Sequence, residues 1–224
     1  MRLELCTSFL LFATCAASAP PTSQPTTEIL FRVEKLGCTL VEGVGCGHLL
    51  APMLARIDGI EGVLRTYSNW TGSVLRVSVA PGYDAPAVAE RVRKFLTDEQ
   101  QNPARIETEE AAATLRDQKW WDVVRIVELT SYEYRTFAMR QLIEFADREK
   151  LDAATRTKLT ALVDEVWDKS GEGLGPPSPQ ADDYAQYWHN RRQRLIELFV
   201  ERAASLLKPE QVEKLRREYS PRSG

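Results

Sequence analysis

The chain has 224 residues, which is long enough for one large domain or two small ones to bury a hydrophobic core. Its formal net charge of −3 provides no basic field of the kind that nucleic-acid binding requires, so the composition argues against a nucleic-acid partner. Charged residues make up 27% of the chain, as in an ordinary soluble surface.

The chain begins with an apolar run of signal-peptide length. This run covers Leu5–Ala17 and is followed by Ser18 and Ala19, which complete the small-residue pattern that a signal peptidase recognises. It is too short to span a membrane. The sequence therefore predicts an exported protein, with residues 1–19 as the signal peptide and the Pro/Thr/Ser-rich residues 20–27 as a linker.

A second processing route is equally open. The segment Phe12-Ala-Thr-Cys15 resembles an imperfect bacterial lipobox, in which Cys15 carries lipid and residues 20–27 tether the protein to a membrane. Both routes remove Cys6 and leave Cys38 and Cys46 in an oxidising compartment, either periplasmic or secreted. A lipid anchor on Cys15 is the only membrane contact that the sequence predicts.

Residues 28–108 alternate between strand and helix patterns. The predicted elements are a strand at Ile29–Leu36, a helix at His48–Asp58, a hairpin of Val63–Tyr67 and Ser73–Val79, a helix capped by Asp84, and a strand at Ala104–Thr108. The order β-α-β-β-α-β predicts a ferredoxin-like unit, with two helices on one face of a four-stranded antiparallel sheet.

From residue 109 to residue 224 the apolar positions follow the helical period, and no strand is predicted. The predicted helices include Leu151–Lys169 with Asp152 as its cap, Ala181–Leu207, and a short helix that starts at Pro209. Trp120 and Trp121 fit either a core or an exposed groove for a client protein. The predicted fold class is α+β, a ferredoxin-like domain followed by an all-α domain.

Soft metal ligands are concentrated in one short segment. The chain has four cysteines and two histidines, and three of these six residues are Cys38, Cys46 and His48. They lie in a glycine-rich turn between a predicted strand and a predicted helix. A thiolate at a helix N-terminus is stabilised by the helix dipole, which lowers its pKa and keeps it available as a ligand. The segment therefore predicts a metal or redox site.

The strand order and the cysteines in the first strand-to-helix turn resemble the heavy-metal-associated domain of copper chaperones and periplasmic mercury binders. Gly45-Cys46-Gly47-His48 opens the helix, and Ile57 to Val63 stands where the family has its Gly-Val approach to the second strand. The resemblance implies that Cys38 and Cys46 hold copper, zinc or mercury with His48 as a third ligand. The family's Cys-x-x-Cys motif is absent here.

A structural disulfide is the alternative for the two cysteines, since a short loop joins them. The protein would then be a metal-free binding or chaperone-like adaptor outside the cytoplasm. A thiol oxidoreductase is a third hypothesis, which the missing Cys-x-x-Cys disfavours. The sequence contains no nucleophile elbow, phosphate-binding glycine loop or helical His-x-x-x-His site, so it predicts no enzyme.

The C-terminal half carries a second resemblance. Residues Leu206–Leu215 are similar to the Leu-Thr-Pro-Glu-Gln signature of small periplasmic helical proteins involved in envelope stress, metal resistance and holdase activity. Lys208 replaces the threonine of that signature. The resemblance implies that the helical segment supplies a surface for a protein partner. The motif also fits an ordinary helix start, with Pro209 in the first turn.

Overall fold

The computed structural model describes residues 26–34, 36–117, 119–175, 177–178 and 181–219. The predicted signal peptide, with Cys6 and Cys15, and most of the predicted linker lie outside the described residues. No helix in the described part of the chain is both long and apolar enough to cross a membrane. The fold is α+β, as predicted, and combines an antiparallel sheet with several helices.

The first half of the chain contains four of the strands. Its elements are β1 (Thr27–Arg32), α1 (Gly47–Asp58), β2 (Val63–Asn69), β3 (Val74–Val79), α2 (Ala85–Asp98) and β4 (Ala104–Arg105). The second half contributes α3 (Thr108–Asp117), β5 (Trp120–Asp122), α4 (Ile126–Arg148), α5 (Ala153–Gly171), α6 (Ala181–Ala203) and α7 (Pro209–Tyr219). Asp84 and Asp152 cap their helices as predicted, accepting hydrogen bonds from Ala87 N (3.0 Å) and Thr155 N (2.9 Å).

The sheet order is β4-β1-β3-β2-β5, with every paired strand antiparallel. The predicted four-stranded ferredoxin-like sheet is not matched, because β5 adds a fifth strand beside β2. The prediction that residues 109–224 are entirely helical is therefore wrong at Trp120–Asp122. A strand of three residues is too short to show the alternation of apolar and polar residues that marks a strand. Trp120 also continues the helical spacing of the apolar residues that follow it.

One hydrophobic core extends from β1 to α7 and is shared by both halves of the chain. Helix α1 lies inside this core and packs against β2, α4 and α6. Leu50, Leu54 and Ile57 of α1 are completely buried, and Met53 also lies in the core. Trp121 is also buried in this core, which confirms the core interpretation for that residue.

A smaller cluster covers the opposite face of the sheet. Leu30, Val74 and Ile106 are its buried members, and residues of α3 together with Trp120 pack against them. Successive β1 residues therefore face different clusters, since Ile29 and Phe31 belong to the main core. Strand β1 is buried on both faces, which explains its continuous apolar sequence.

Candidate functional site

The turn before α1 is a narrow loop closed by a backbone bridge between Gly37 and Gly45. Cys38 N donates to Val44 O at 2.7 Å, and Cys46 N donates to Leu36 O at the same distance. In this antiparallel register Cys38 and Cys46 lie on the same face of the bridge, because side chains alternate between faces along each strand. The loop thus brings together two cysteines that are eight positions apart.

Glycine is required where this loop meets its neighbours. A Cβ on Gly45 would lie 2.9 Å from Gly72 N, so the loop can approach the β2–β3 turn only without a side chain there. A Cβ on Gly47 would lie 1.8 Å from Thr130 Oγ1 of α4. The start of α1 is therefore held against both the sheet and α4 by close backbone approach.

Cys46 is the N-cap residue of α1, as predicted, but its thiol is not activated. Its side chain makes no capping hydrogen bond, and the neighbouring Gly47 N–H donates instead to Glu133 Oε2 at 2.7 Å. Burial, followed by the negative charge of Glu133, raises the pKa of Cys46 to about 11. The expectation that the helix N-terminus lowers this pKa is wrong, because burial and the charge of Glu133 outweigh the lowering effect of the Leu49 and His48 backbone N–H groups.

Glu133 of α4 is the residue of this site that sequence analysis missed. It is 7% exposed and is the one buried acidic or basic residue among the side chains that the structure describes. Its carboxylate accepts the Gly47 N–H and lines the same pocket as Cys38 and Cys46. Burial raises the pKa of Glu133, while hydrogen bonding from the two thiols and from the Gly47 N–H acts to lower it.

The pKa of Cys38 is raised in the same way, first by burial and then by its hydrogen bond to Glu133. Both cysteines are free thiols. Because a thiolate, not a thiol, is the nucleophile and metal ligand, the resting site is a pair of protonated donors. A ligand or electrophile that bonds to either sulfur must therefore displace its proton.

His48 lies beside the thiols but is directed toward an aromatic cluster. Its Nε2 is 2.6 Å from the Tyr134 hydroxyl, and its ring meets those of Tyr134, Tyr184 and Trp188 edge-on, with centroids 5.4 to 6.3 Å apart. Burial lowers the pKa of His48, which favours the neutral imidazole. The cluster consists of residues from α4 and α6, so His48 joins α1 to both helices.

All three predicted ligands line one pocket of about 170 Å³. Its lining residues are Cys38, Thr39, Leu40, Cys46, His48, Glu133, Tyr134, Phe137 and Arg192. Within the described part of the chain, no group of three or more His, Cys, Asp or Glu residues is arranged to hold a metal ion. The structure thus brings Cys38, Cys46 and His48 to one pocket without joining them in one ligand set, and metal binding there stays a prediction.

Two arginines approach this pocket from its outer side. Arg192 of α6 contributes to the lining and is exposed to solvent. Arg140 of α4 is also exposed, and its Nη1 donates to Leu40 O at 3.0 Å. Arg140 therefore fixes the tip of the cysteine loop against α4, while both positive charges remain in contact with water.

Comparison with protein-family models, curated proteins and solved structures finds no match to this chain.

Proposed function

We propose that this protein binds one soft metal ion through the sulfur atoms of Cys38 and Cys46 and serves in metal handling, sensing or resistance rather than as an enzyme. The observation that carries the proposal is the pair of free thiols on one face of the loop, both lining one pocket. Soft thiolate ligands favour soft cations such as Cu(I).

The donor set favours an ion that needs only two ligands. Structural zinc takes four protein ligands and catalytic zinc takes three with a water molecule. The described residues offer no such set, so Cu(I) and Hg(II), which two thiolates can hold, fit better than zinc. In this proposal His48 supports the wall of the pocket, because its Nε2 already contacts the Tyr134 hydroxyl.

Loading the site exchanges protons for a cation. Each cysteine loses the proton of its thiol, both sulfurs bond to the ion, and two protons leave to solvent or to a nearby base. Since the pKa of each thiol is raised, affinity for the ion increases with pH below the thiol pKa values. Glu133 is a base in the same pocket, where its carboxylate lies among the lining residues with both thiols.

The family assignment and the cellular location belong to the same proposal. The sheet order contains β4-β1-β3-β2, which supports an elaborated ferredoxin-like unit of the heavy-metal-associated type, extended by β5. An exported protein, cut after Ala19 or lipidated at Cys15, would meet metal ions before they enter the cell. Intact mass measurement on protein from its native host distinguishes the two forms, and an unprocessed N-terminus contradicts both.

The decisive experiment titrates fully reduced protein with Cu(I) and with Hg(II) against a competing chelator. We expect about one ion bound per chain, with binding lost in Cys46→Ser and in Cys38→Ser while far-ultraviolet circular dichroism stays unchanged. Glu42→Gln, a change at an exposed position of the same loop, is the control and should bind like the wild type. Failure of the reduced wild type to retain either ion would sink the proposal.

A thiol count on native protein tests the alternative reading of the same two residues. Two free thiols per chain agree with metal binding, whereas none, together with lower stability after reduction, indicates a structural disulfide in a metal-free adaptor.

A further inference from the structure

A second cavity lies among the helices α4, α5, α6 and α7, outside the thiol pocket. Its volume is about 40 Å³. Its inner wall is apolar and is formed by the buried side chains of Leu142 of α4, Val166 of α5 and Phe199 of α6. One water molecule needs about 10 to 15 Å³, so there is room for several non-hydrogen atoms. Because protein cores are packed closely, open space against apolar side chains forfeits contacts that an apolar ligand would restore.

A positive charge without a counterion borders this cavity. Arg192 of α6 is one of its lining residues and is exposed to solvent. Within the part of the chain that the structure describes, its guanidinium has no hydrogen bond and no ion pair. No described Asp or Glu lines the cavity, since Glu133 belongs to the neighbouring thiol pocket. An arginine keeps its charge at every physiological pH, so the cavity is cationic at its solvent side.

The other polar groups of the lining leave one further donor available. The Tyr134 hydroxyl is 2.6 Å from His48 Nε2. The Tyr219 hydroxyl donates to Ala138 O at 3.3 Å. The side-chain amide of Gln141 is half-buried, and no hydrogen bond to another described residue engages it. The cavity therefore combines an apolar interior with two unused donor groups, the Arg192 guanidinium and the Gln141 amide.

We propose that this cavity is a binding site for a small monocarboxylate with a short alkyl chain. The chain lies against Leu142, Val166 and Phe199, and the carboxylate accepts hydrogen bonds from the Arg192 guanidinium. A guanidinium suits this role because its planar donors match the two oxygens of a carboxylate. The Gln141 amide supplies a further donor. The site is separate from the proposed metal site and does not depend on it.

Both parts of the ligand are needed for binding. An exposed guanidinium alone holds a carboxylate weakly, because water and salt screen the attraction. An alkyl chain alone gains burial but leaves the charge of Arg192 unpaired. Hexanoate has both parts, acetate has only the carboxylate, and 1-hexanol has the chain with an uncharged head. We expect the full chain to bind hexanoate about tenfold or more tightly than either acetate or 1-hexanol.

Nuclear magnetic resonance titration of the protein measures these affinities. Arg192→Gln removes the charge at an exposed position and should weaken hexanoate binding by about tenfold or more, while 1-hexanol binding changes by less than about threefold. Arg202→Gln is the matched control, because it removes an exposed positive charge from the same helix outside the cavity and should change neither affinity. Ile196→Trp enlarges a half-buried lining residue and should weaken the binding of both hexanoate and 1-hexanol.

The three ligands decide the question on the wild type even if a variant does not fold. Hexanoate that binds no more tightly than acetate indicates an anion on the surface alone and overturns the proposal. Equal weakening of hexanoate and 1-hexanol in Arg192→Gln, or undiminished hexanoate binding in a folded Ile196→Trp protein, overturns it as well. Each of these results leaves the metal proposal unaffected, since neither sulfur is part of this cavity.

Discussion

Glu133 contributes to the raised pKa of both cysteine thiols in the pocket. Its carboxylate accepts the Gly47 N–H at 2.7 Å and so occupies one of the free backbone donors at the start of α1. Its charge also adds to burial in raising the pKa of Cys46. A helix N-terminus alone would lower the pKa of a cysteine thiol, so burial, together with the charge of a side chain from another helix, reverses the local expectation.

Sequence analysis identified the three residues of this pocket that are close along the chain and missed the one that is distant. Cys38, Cys46 and His48 lie within eleven residues, so their clustering is visible in the sequence. Glu133 is 86 positions from Gly47, and only the packing of α4 on α1 brings them together. One sequence signal indicated that Glu133 is buried. It lies at helical spacing from Ile126, Leu129 and Thr130, which form one buried face of α4.

The raised pKa of Cys46 makes the stability of the metal-free, reduced protein sensitive to alkali. The thiol loses its proton near pH 9 when unfolded and near pH 11 when folded, so the folded state binds more protons in between. Its contribution is complete below pH 9 and is lost as the pH rises toward 11. We expect the unfolding free energy of the wild type to fall more steeply from pH 9 to pH 10 than that of Cys46→Ser.

Urea unfolding at several pH values measures this difference, with intrinsic tryptophan fluorescence as the signal. Comparing the two proteins removes the contribution of the buried tyrosines, which both contain. Equal slopes in the two proteins would show that the Cys46 thiol titrates alike in the folded and unfolded states.

At the scale of elements, the position of α1 depends on close backbone contact with α4. The start of α1 approaches so near that a methyl group on Gly47 would overlap Thr130 Oγ1, 1.8 Å away. Thr130 is itself completely buried and shares a 2.6 Å hydrogen bond with the Tyr184 hydroxyl of α6. The threonine has little freedom to move aside, so the two helices would have to separate.

Gly47→Ala should therefore destabilise the protein, although alanine is the better helix former. We expect a loss of about 1 to 3 kcal/mol in unfolding free energy, the usual cost of overpacking, as measured by urea denaturation. Gly37→Ala is the matched control, because its Cβ would lie 3.9 Å from Val44 O and should cost less than about 0.5 kcal/mol. Equal effects of the two changes would show that α1 can shift without cost.

The elements of the fold were predictable where their signals are local. The capping aspartates Asp84 and Asp152 mark their helices because a cap needs only its own first turn. Strand β5 carries no such signal: Trp120–Asp122 is extended because Tyr67, Ser68 and Asn69 of β2 supply its partners. The fifth strand is thus a product of tertiary contact, and a sequence read segment by segment assigns it to the neighbouring helix.

At the scale of the whole molecule, the predicted boundary at residues 108 and 109 runs through shared structure. Strand β5 from the second half completes the sheet of the first, and Leu50 and Leu54 of α1 lie in a core that continues into α4, α5, α6 and α7. His48 of α1 contacts Tyr134 of α4 and Trp188 of α6, so α1 is bound to two helices of the second half of the chain. The division into two domains remains a prediction, and the stability of the isolated first half tests it.

Because α1 packs against α4 and α6 as well as against β2, a fragment of residues 26–108 would expose to water the α1 side chains that contact α4 and α6. Each large apolar side chain left exposed forfeits about 1.5 to 3 kcal/mol, and several such losses exceed the stability typical of a small domain. We expect the fragment to show no cooperative thermal transition, whereas the described fold unfolds in one step with coincident fluorescence and circular dichroism. A fragment that melts cooperatively would establish an independent first domain. The contact between Glu133 of α4 and Gly47 of α1 would then lie at the interface between two domains.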